Sequence, residues 1–411
     1  MRKCQQRRGC LRLKYINDKP QLGLEYDFKA IEREYKKLGV PSLWYSPPFA
    51  ALPRNKYFIG LSDRSTGKTT NWLLYGLCMN KLYGTIIQYV RATEEELAPS
   101  HAEKLVEVIR THEGGEYIRK LTNGRWNSIY YHWRAFYYCN VDEEGRRVEV
   151  CEKECIHCLS IERHMDYKST YNAPLGDFIL LDEFIAKHYR PNEAIDFLDL
   201  TKTVFRDRLS GIIVMLANTI KLSSIYFEEF EISRQVLGMK KGEFRQCVTE
   251  KGTKLFVEII DAEISRSETR KTMNSLFYGF KNPKINAITG ESLYAYESVP
   301  HIPARDSTFY KIQNNIYIET GIDLLQAEYC YNDKQGYHFQ IHRATKTYDD
   351  SVILSLDVVD DKRYLWGFGT QRLQKIFGRF IAERRLYFST NEVGTIFNDY
   401  VRRYQTIKNR V

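Results

Sequence analysis

The 411-residue sequence has no apolar stretch long enough to cross a bilayer, no internal repeat and no low-complexity linker. The first absence argues against a spanning helix of about 20 residues, the second against solenoid and propeller arrays, the third against loosely tethered modules. The opening MRKCQQRRGCLRLK carries a charged head with no apolar run behind it, which reads against a secretory signal. Cysteine is sparse and uneven: nine residues, an odd number at irregular spacing, as expected of reduced thiols in a cytosol rather than a disulfide framework. A soluble, intracellular protein is the expectation. Acidic residues are scarce at both ends. Residues 1–14 hold Arg2, Lys3, Arg7, Arg8, Arg12 and Lys14 without an acid, and residues 362–411 hold eleven Lys or Arg against Glu383, Glu392 and Asp399. With a formal net charge of +9, these ends suit a polyanion, because clustered cations release counterions from phosphates. A solvated basic surface accounts for them equally well.

Hydrophobic residues are plentiful, at 43%, and aromatics reach 14% with 30 Tyr. That is enough for a substantial core, and the length predicts two domains. Residues 28–37 read as a helix stopped by Gly39 and Pro41. From Lys56 the pattern is strand (KYFIGL), turn (SDRSTG) and helix (KTTNWLLYGLCMN), then further apolar runs at 85–90, 178–181 and 212–216. Continuous apolar strands separated by helical pattern, as over 192–208, predict an open, mostly parallel α/β sheet from about 56 to 220. Beyond about 260 the texture changes to polar connecting segments. Strand-like runs NIYIE, LLQAEYCY, YHFQIHR and SVILSLDVV follow, with NDKQG as a turn, and then a helix marked by Leu373, Ile376, Phe377, Phe380 and Ile381. The expected division is 1–260, with a Cys-rich hairpin insertion at 136–160, a linker at 261–300, and a second domain at 301–411.

Ser62-Asp63-Arg64-Ser65-Thr66-Gly67-Lys68-Thr69 approximates the phosphate loop G-x-x-x-x-G-K-[ST], with Ser62 in place of the first Gly. In that loop backbone amides cradle phosphates, the Lys meets the outer phosphates and the hydroxyl meets magnesium. The segment follows a strand and opens a helix, where the dipole favours anions. Asp182 and Glu183 end a second apolar strand: Asp182 is placed to hold magnesium and Glu183 to activate the attacking water. Together these features predict an ATPase with ATP and magnesium as ligands. Ordinary local roles stand beside these readings. The acid pair could mark a helix start, Arg206 and Arg208 could complement a helix C-terminus, and Asn218, a candidate γ-phosphate sensor, could cap a turn.

Cys139, Cys151, Cys155 and Cys158 fall in a segment that reads as a hairpin with an Asp-Glu-Glu-Gly turn. Their placement admits a structural zinc site bracing that hairpin, or a metal-free reduced cluster.

SDRSTGKT resembles the deviant phosphate loop of phage terminase large subunits, in which Ser takes the first place and Arg the third. QYVRATEEEL, ILLDEFI, TVFRDR and MLANT follow in the order seen in DNA encapsidation ATPases of small, protein-primed podoviruses of the phi-twenty-nine type. The five motifs cover about residues 57–220, with weaker similarity to the C-terminus. The resemblance implies an N-terminal P-loop ATPase domain of the ASCE type and a C-terminal ribonuclease-H-like α/β domain. It implies a pentameric homo-oligomeric ring that moves double-stranded DNA through the portal of a prohead in the host cytoplasm, and leaves room for a structural packaging RNA. By the same resemblance Lys68 and Thr69 bind nucleotide and magnesium, Asp182 holds magnesium, Glu183 is catalytic, and Arg206 is an arginine finger for a neighbouring subunit. Arg64 and Arg91 assist or couple nucleotide state to movement, while Glu94 stands where the family can carry a basic residue. The family's nuclease acids have no evident counterpart cluster among Glu319, Asp323, Glu328, Asp357, Asp360 and Asp361, so no nuclease activity is expected. A helicase or other remodelling ATPase shares the same core and is the alternative, although its further motif blocks are not found. A non-enzymatic DNA-binding protein would require Lys68, Thr69, Asp182 and Glu183 all to be accidents.

Overall fold

A computed structural model of the chain describes residues 11–16, 19–24, 26–62, 66–171, 176–185, 190, 192–206, 208, 210–218, 224–236, 239–249, 251–262, 299–302, 311–332, 336–345, 351–357 and 360–408. The chain forms two compact units. One contains Met1–Thr219 and Gly238–Lys271, and the other Ile220–Leu237 and Thr272–Val411.

In the first unit a hairpin of β1 (Leu11–Ile16) and β2 (Lys19–Leu24) precedes α1 (Phe28–Lys37), whose N-cap Asp27 side chain accepts from the Ala30 amide at 3.0 Å. The main sheet is built from β3 (Tyr57–Leu61), β4 (Ile87–Arg91), β5 (Ser128–His132), β6 (Ala135–Val141), β7 (Arg147–Ser160), β8 (Phe178–Asp182), β9 (Ile212–Ala217), β10 (Phe244–Val248) and β11 (Lys254–Ile259). Their order is β10-β11-β3-β9-β8-β4-β7-β6-β5. The six strands from β11 to β7 run parallel, and antiparallel strands close both edges. β8 and β9 are buried at every position, so their unbroken apolar runs are what a sheet covered on both faces requires. The helices are α2 (Lys68–Tyr83), α3 (Pro99–Leu105), α4 (Glu107–Thr111), α5 (Glu116–Leu121), α6 (His164–Thr170) and α7 (Glu193–Phe205). α2 is apolar all round because it is enclosed: Trp72 through Met79 are all buried. Gly76 lets it sit close to the sheet, since a Cβ there would lie 2.7 Å from the Ile87 side chain.

The cysteine segment folds differently from expectation. β6 and β7 do form a hairpin, but it is not an insertion. The second half of β7 pairs with β4, Ile87 against Ile156 and Arg91 against Ser160, so the run joins the central sheet. Cys139 lies opposite Val150 and lines an outer groove with Arg110 and Arg147. Cys155 and Cys158 sit in the apolar core, with Cys151 at its margin. Among the described residues no group of three or more His, Cys, Asp or Glu can hold a metal. Burial also pushes the Cys139, Cys155 and Cys158 thiols up. The four cysteines are therefore not brought together as a ligand set.

The second unit holds two short helices, α8 (Ile225–Glu229) and α9 (Ser233–Val236), and a six-stranded sheet. Its strands are β12 (Lys311–Glu319), β13 (Leu324–Asn332), β14 (Gly336–Arg343), β15 (Ile353–Ser355), β16 (Tyr364–Trp366) and β17 (Leu386–Phe388), with α10 (Gln371–Ala382) and α11 (Asn391–Lys408). β12, β13 and β14 form an antiparallel meander, and β15 and then β16 add in parallel beside β12. The second unit is thus a mixed α/β domain. α11 buries Val393, Ile396, Phe397, Tyr400 and Tyr404 along one stripe.

Candidate nucleotide-hydrolysis site

The C-terminal ends of β3, β8 and β9 meet at one edge of the main sheet, with β9 lying between the other two. Gly67 is the N-cap of α2 at φ 77°, a left-handed conformation natural to glycine. The first turn of α2 therefore begins at this edge, where the helix N-terminus and its dipole favour an anion. Lys68 is buried in that turn, and its ammonium donates to the Asn218 carboxamide oxygen at the end of β9. The Thr69 hydroxyl lies 3.2 Å from both carboxylate oxygens of Asp182. Ser62 fills the place of the missing glycine: its amide donates to Ala217 O at 3.1 Å, and its hydroxyl is 3.1 Å from that of Thr66. Arg64 and Ser65 lie outside the described residues.

Asp182 is buried, which pushes its carboxyl above the usual carboxylate range, against the pull of Arg91 and Lys68. Tyr89 donates to it at 3.2 Å, and an Arg91 guanidinium nitrogen is 3.7 Å away. Arg91 also pairs with Glu183 at 2.8 Å and Glu96 at 3.1 Å. Although burial opposes its charge, Tyr89, Asp182, Glu183 and Glu96 hold it firmly protonated. Glu183 accepts from the Asn218 amide at 3.1 Å, so Asn218 touches Lys68 and Glu183 at once. Glu183 also holds φ at 56°, a strained conformation for a glutamate of the kind that concentrates at active sites.

The two arginines after α7 part company. Arg208 pairs with buried Asp177 and donates to Val204 O at 2.7 Å, a local structural role. Arg206 caps α7 at φ 49° and ψ −114°, and its exposed side chain donates to Tyr171 O at 3.1 Å. Glu94 takes Arg134 and the Ser160 hydroxyl, so it anchors the β5–β6 turn.

The cleft over the loop has a volume of about 310 Å³ and is lined by Trp44, Val108 and Asn218 with the Thr66–Thr70 turn. Trp44 and Val108 carry no motif, and only long-range folding brings them to the site; Tyr89 lies in the QYVRATEEEL motif but is singled out only by its contact with Asp182.

No protein-family model and no curated protein matches the chain. Among solved structures, a chain of the bacteriophage Phi-29 viral genome packaging motor assembly aligns with a TM-score of 0.53 and 20% identity, over 88% of this chain and 100% of that one. The two share a fold. A chain of the Phi-28 gp11 DNA packaging motor aligns at 0.49 and 14% identity, over 89% of this chain and 98% of that one. The N-terminal domain of the DNA packaging ATPase from bacteriophage phi29 aligns at 0.40 and 22%, over 54% of this chain and 98% of that one. Among the described residues, no helix is long and apolar enough to cross a membrane. In the second unit Asp323 pairs with Arg343 and Asp361 with Arg363, while Glu328 faces His342.

Proposed function

We propose that the chain is an ATP-hydrolysing motor subunit that drives double-stranded viral DNA into a preformed prohead through its portal. The observation that carries the reading is the meeting of Thr69, Asp182 and Lys68 at the head of α2, with Glu183 one residue beyond Asp182. Oxygen donors from Thr69 and buried Asp182 suit a hard divalent cation. Thr69 and Asp182 would hold magnesium, which would neutralise charge on the phosphoryl oxygens. Lys68 and the amides of the first turn of α2 bind the outer phosphates. Glu183 orients a water and takes its proton as the water oxygen bonds to the γ-phosphorus and the bridging P–O bond breaks, leaving ADP and phosphate. Arg91 steers the Glu183 carboxylate, and Asn218 ties it to the loop lysine. Arg206 acts in the site of a neighbouring copy. We assign a pentameric ring at the portal in the host cytoplasm, with the basic chain ends toward DNA or portal, and a place for a structural packaging RNA. The second unit is assigned no nuclease role. The fold shared with a packaging-motor chain supports this reading, and nothing observed favours the helicase alternative.

Glu183→Gln separates binding from chemistry. The variant is expected to bind ATP as the wild type does and to lose turnover by about a hundredfold or more, read by equilibrium nucleotide binding and phosphate release. Substantial hydrolysis by the variant removes Glu183 from the base role.

A further inference from the structure

The stretch from Pro41 to Phe49 carries no motif, yet it crosses the phosphate loop. The Tyr45 amide donates to Thr66 O at 3.0 Å. The Trp44 indole lies against Gly67 so closely that a Cβ on that glycine would be 3.2 Å from the ring. Pro41, Pro47 and Pro48 stiffen the segment, and Phe49 packs on Tyr35 with ring centroids 5.2 Å apart. The strap is fastened at one further point: the buried Tyr45 hydroxyl donates to Glu258 on β11 at 3.1 Å.

Glu258 is an odd choice for that position. It sits on the core-facing side of β11 between Phe256 and Ile260, and β11 is flanked by β3 and β10. Burial pushes its carboxyl up to about 7, with the Tyr45 hydroxyl pulling the other way. A leucine would fill the same space without the desolvation penalty. What the carboxyl adds is a directional bond to Tyr45.

We infer that Tyr45 and Glu258 are positioning residues for nucleotide: their hydrogen bond holds the Trp44–Tyr45 strap across Gly67 and keeps the phosphate loop in its binding conformation. β11 belongs to Gly238–Lys271, a segment the chain enters from the second unit and leaves to return there. A displacement of this strand therefore reaches the Trp44–Tyr45 strap through the Tyr45–Glu258 hydrogen bond, beside the β3–β11 ladder that leads to Ser62.

The inference rests on the ATPase reading, and the test keeps the two apart. In the full chain, equilibrium binding of a fluorescent ATP analogue with magnesium is measured together with KM and kcat for hydrolysis. The proteins are wild type, Tyr45→Phe, Glu258→Gln, Glu258→Leu and, as the control without binding, Lys68→Ala. Tyr45→Phe and Glu258→Leu are expected to weaken binding and raise KM about tenfold, the scale of one hydrogen bond, with kcat unchanged. Glu258→Gln, which keeps an acceptor, is expected to stay close to wild type. An unchanged KM in Tyr45→Phe overturns the inference. So does equal loss in Glu258→Gln and Glu258→Leu, or a fall in kcat and melting temperature without a change in KM. A wild type that binds no better than Lys68→Ala overturns the ATPase reading itself.

Discussion

Asn218 has two partners, the ammonium of Lys68 and the carboxylate of Glu183. Its carboxamide suits that place, because one end accepts from the cation and the other donates to the anion. A γ-phosphate approaching Lys68 competes for the same ammonium, so phosphate arrival is expected to loosen the Lys68–Asn218 bond at the end of β9. Asn218→Ala is expected to lower kcat by about ten- to a hundredfold through loss of Glu183 orientation, with little change in nucleotide affinity. Steady-state kinetics beside equilibrium binding check this; a variant that loses affinity and keeps kcat would assign Asn218 to binding instead. At this scale the sequence is most legible where one residue has one chemical duty. Lys68, Thr69, Asp182 and Glu183 are read from type and spacing, and the structure brings them to one sheet edge. Trp44 and Glu258 are not legible, because Tyr45 reaches Glu258 across a sequence separation of 213 residues, and nothing local marks either end. The cysteines mislead for the opposite reason. Their spacing looks like a ligand set, but the β6–β7 register puts Cys139 against Val150, Cys155 and Cys158 lie in the core, and Cys151 is at its margin.

At the scale of elements, the central strands declare themselves. Phe178–Leu181 and Ile212–Leu216 are continuous apolar runs because both sheet faces are covered, and α2 is recognisable from its length and apolar content. The antiparallel edge is harder to read. β7 pairs with β6 on one side and β4 on the other, so a segment that looks like an appended hairpin completes the parallel sheet. The turn joining β5 to β6 is unusual in its chemistry. Trp133 and Arg134 are its two residues, both at positive φ, 47° and 64°, where Asn-Gly is the ordinary solution. Arg134 is held there by Glu94 and by its bond to the Tyr167 hydroxyl at 3.1 Å, whereas Trp133 is 85% exposed. Trp133→Asn is therefore expected to stabilise the protein by about 0.5–1 kcal/mol through relief of left-handed strain. Urea denaturation measures this, and a loss of stability would show that the indole makes a stabilising contact.

At the scale of the whole molecule, the chain order links the two units more than once. After Thr219 it enters the second unit, returns to supply β10 and β11, and leaves again. Neither composition nor periodicity carries that interleaving, because each segment has an ordinary local pattern. The assembly is expected to complete the site. Arg206 is exposed and strained at the end of α7, bonded only to a backbone carbonyl in the contacts described above. Arg206→Ala is expected to lower hydrolysis by about a thousandfold in assembled rings. Mixing it with Lys68→Ala subunits is expected to restore part of the rate, since each variant supplies what the other lacks. Mixed rings as inactive as either parent would place Arg206 in its own subunit's site or in a structural role.

In the proposed function, ATP hydrolysis by this chain moves double-stranded DNA into a capsid. The most direct test is phosphate release and nuclease-protected DNA, measured together, with double-stranded DNA and matched empty proheads added separately and in combination. The account predicts rapid hydrolysis and protected DNA only when both are present, and neither with Glu183→Gln. Hydrolysis indifferent to DNA and proheads, or rapid hydrolysis that leaves no DNA protected, would contradict it.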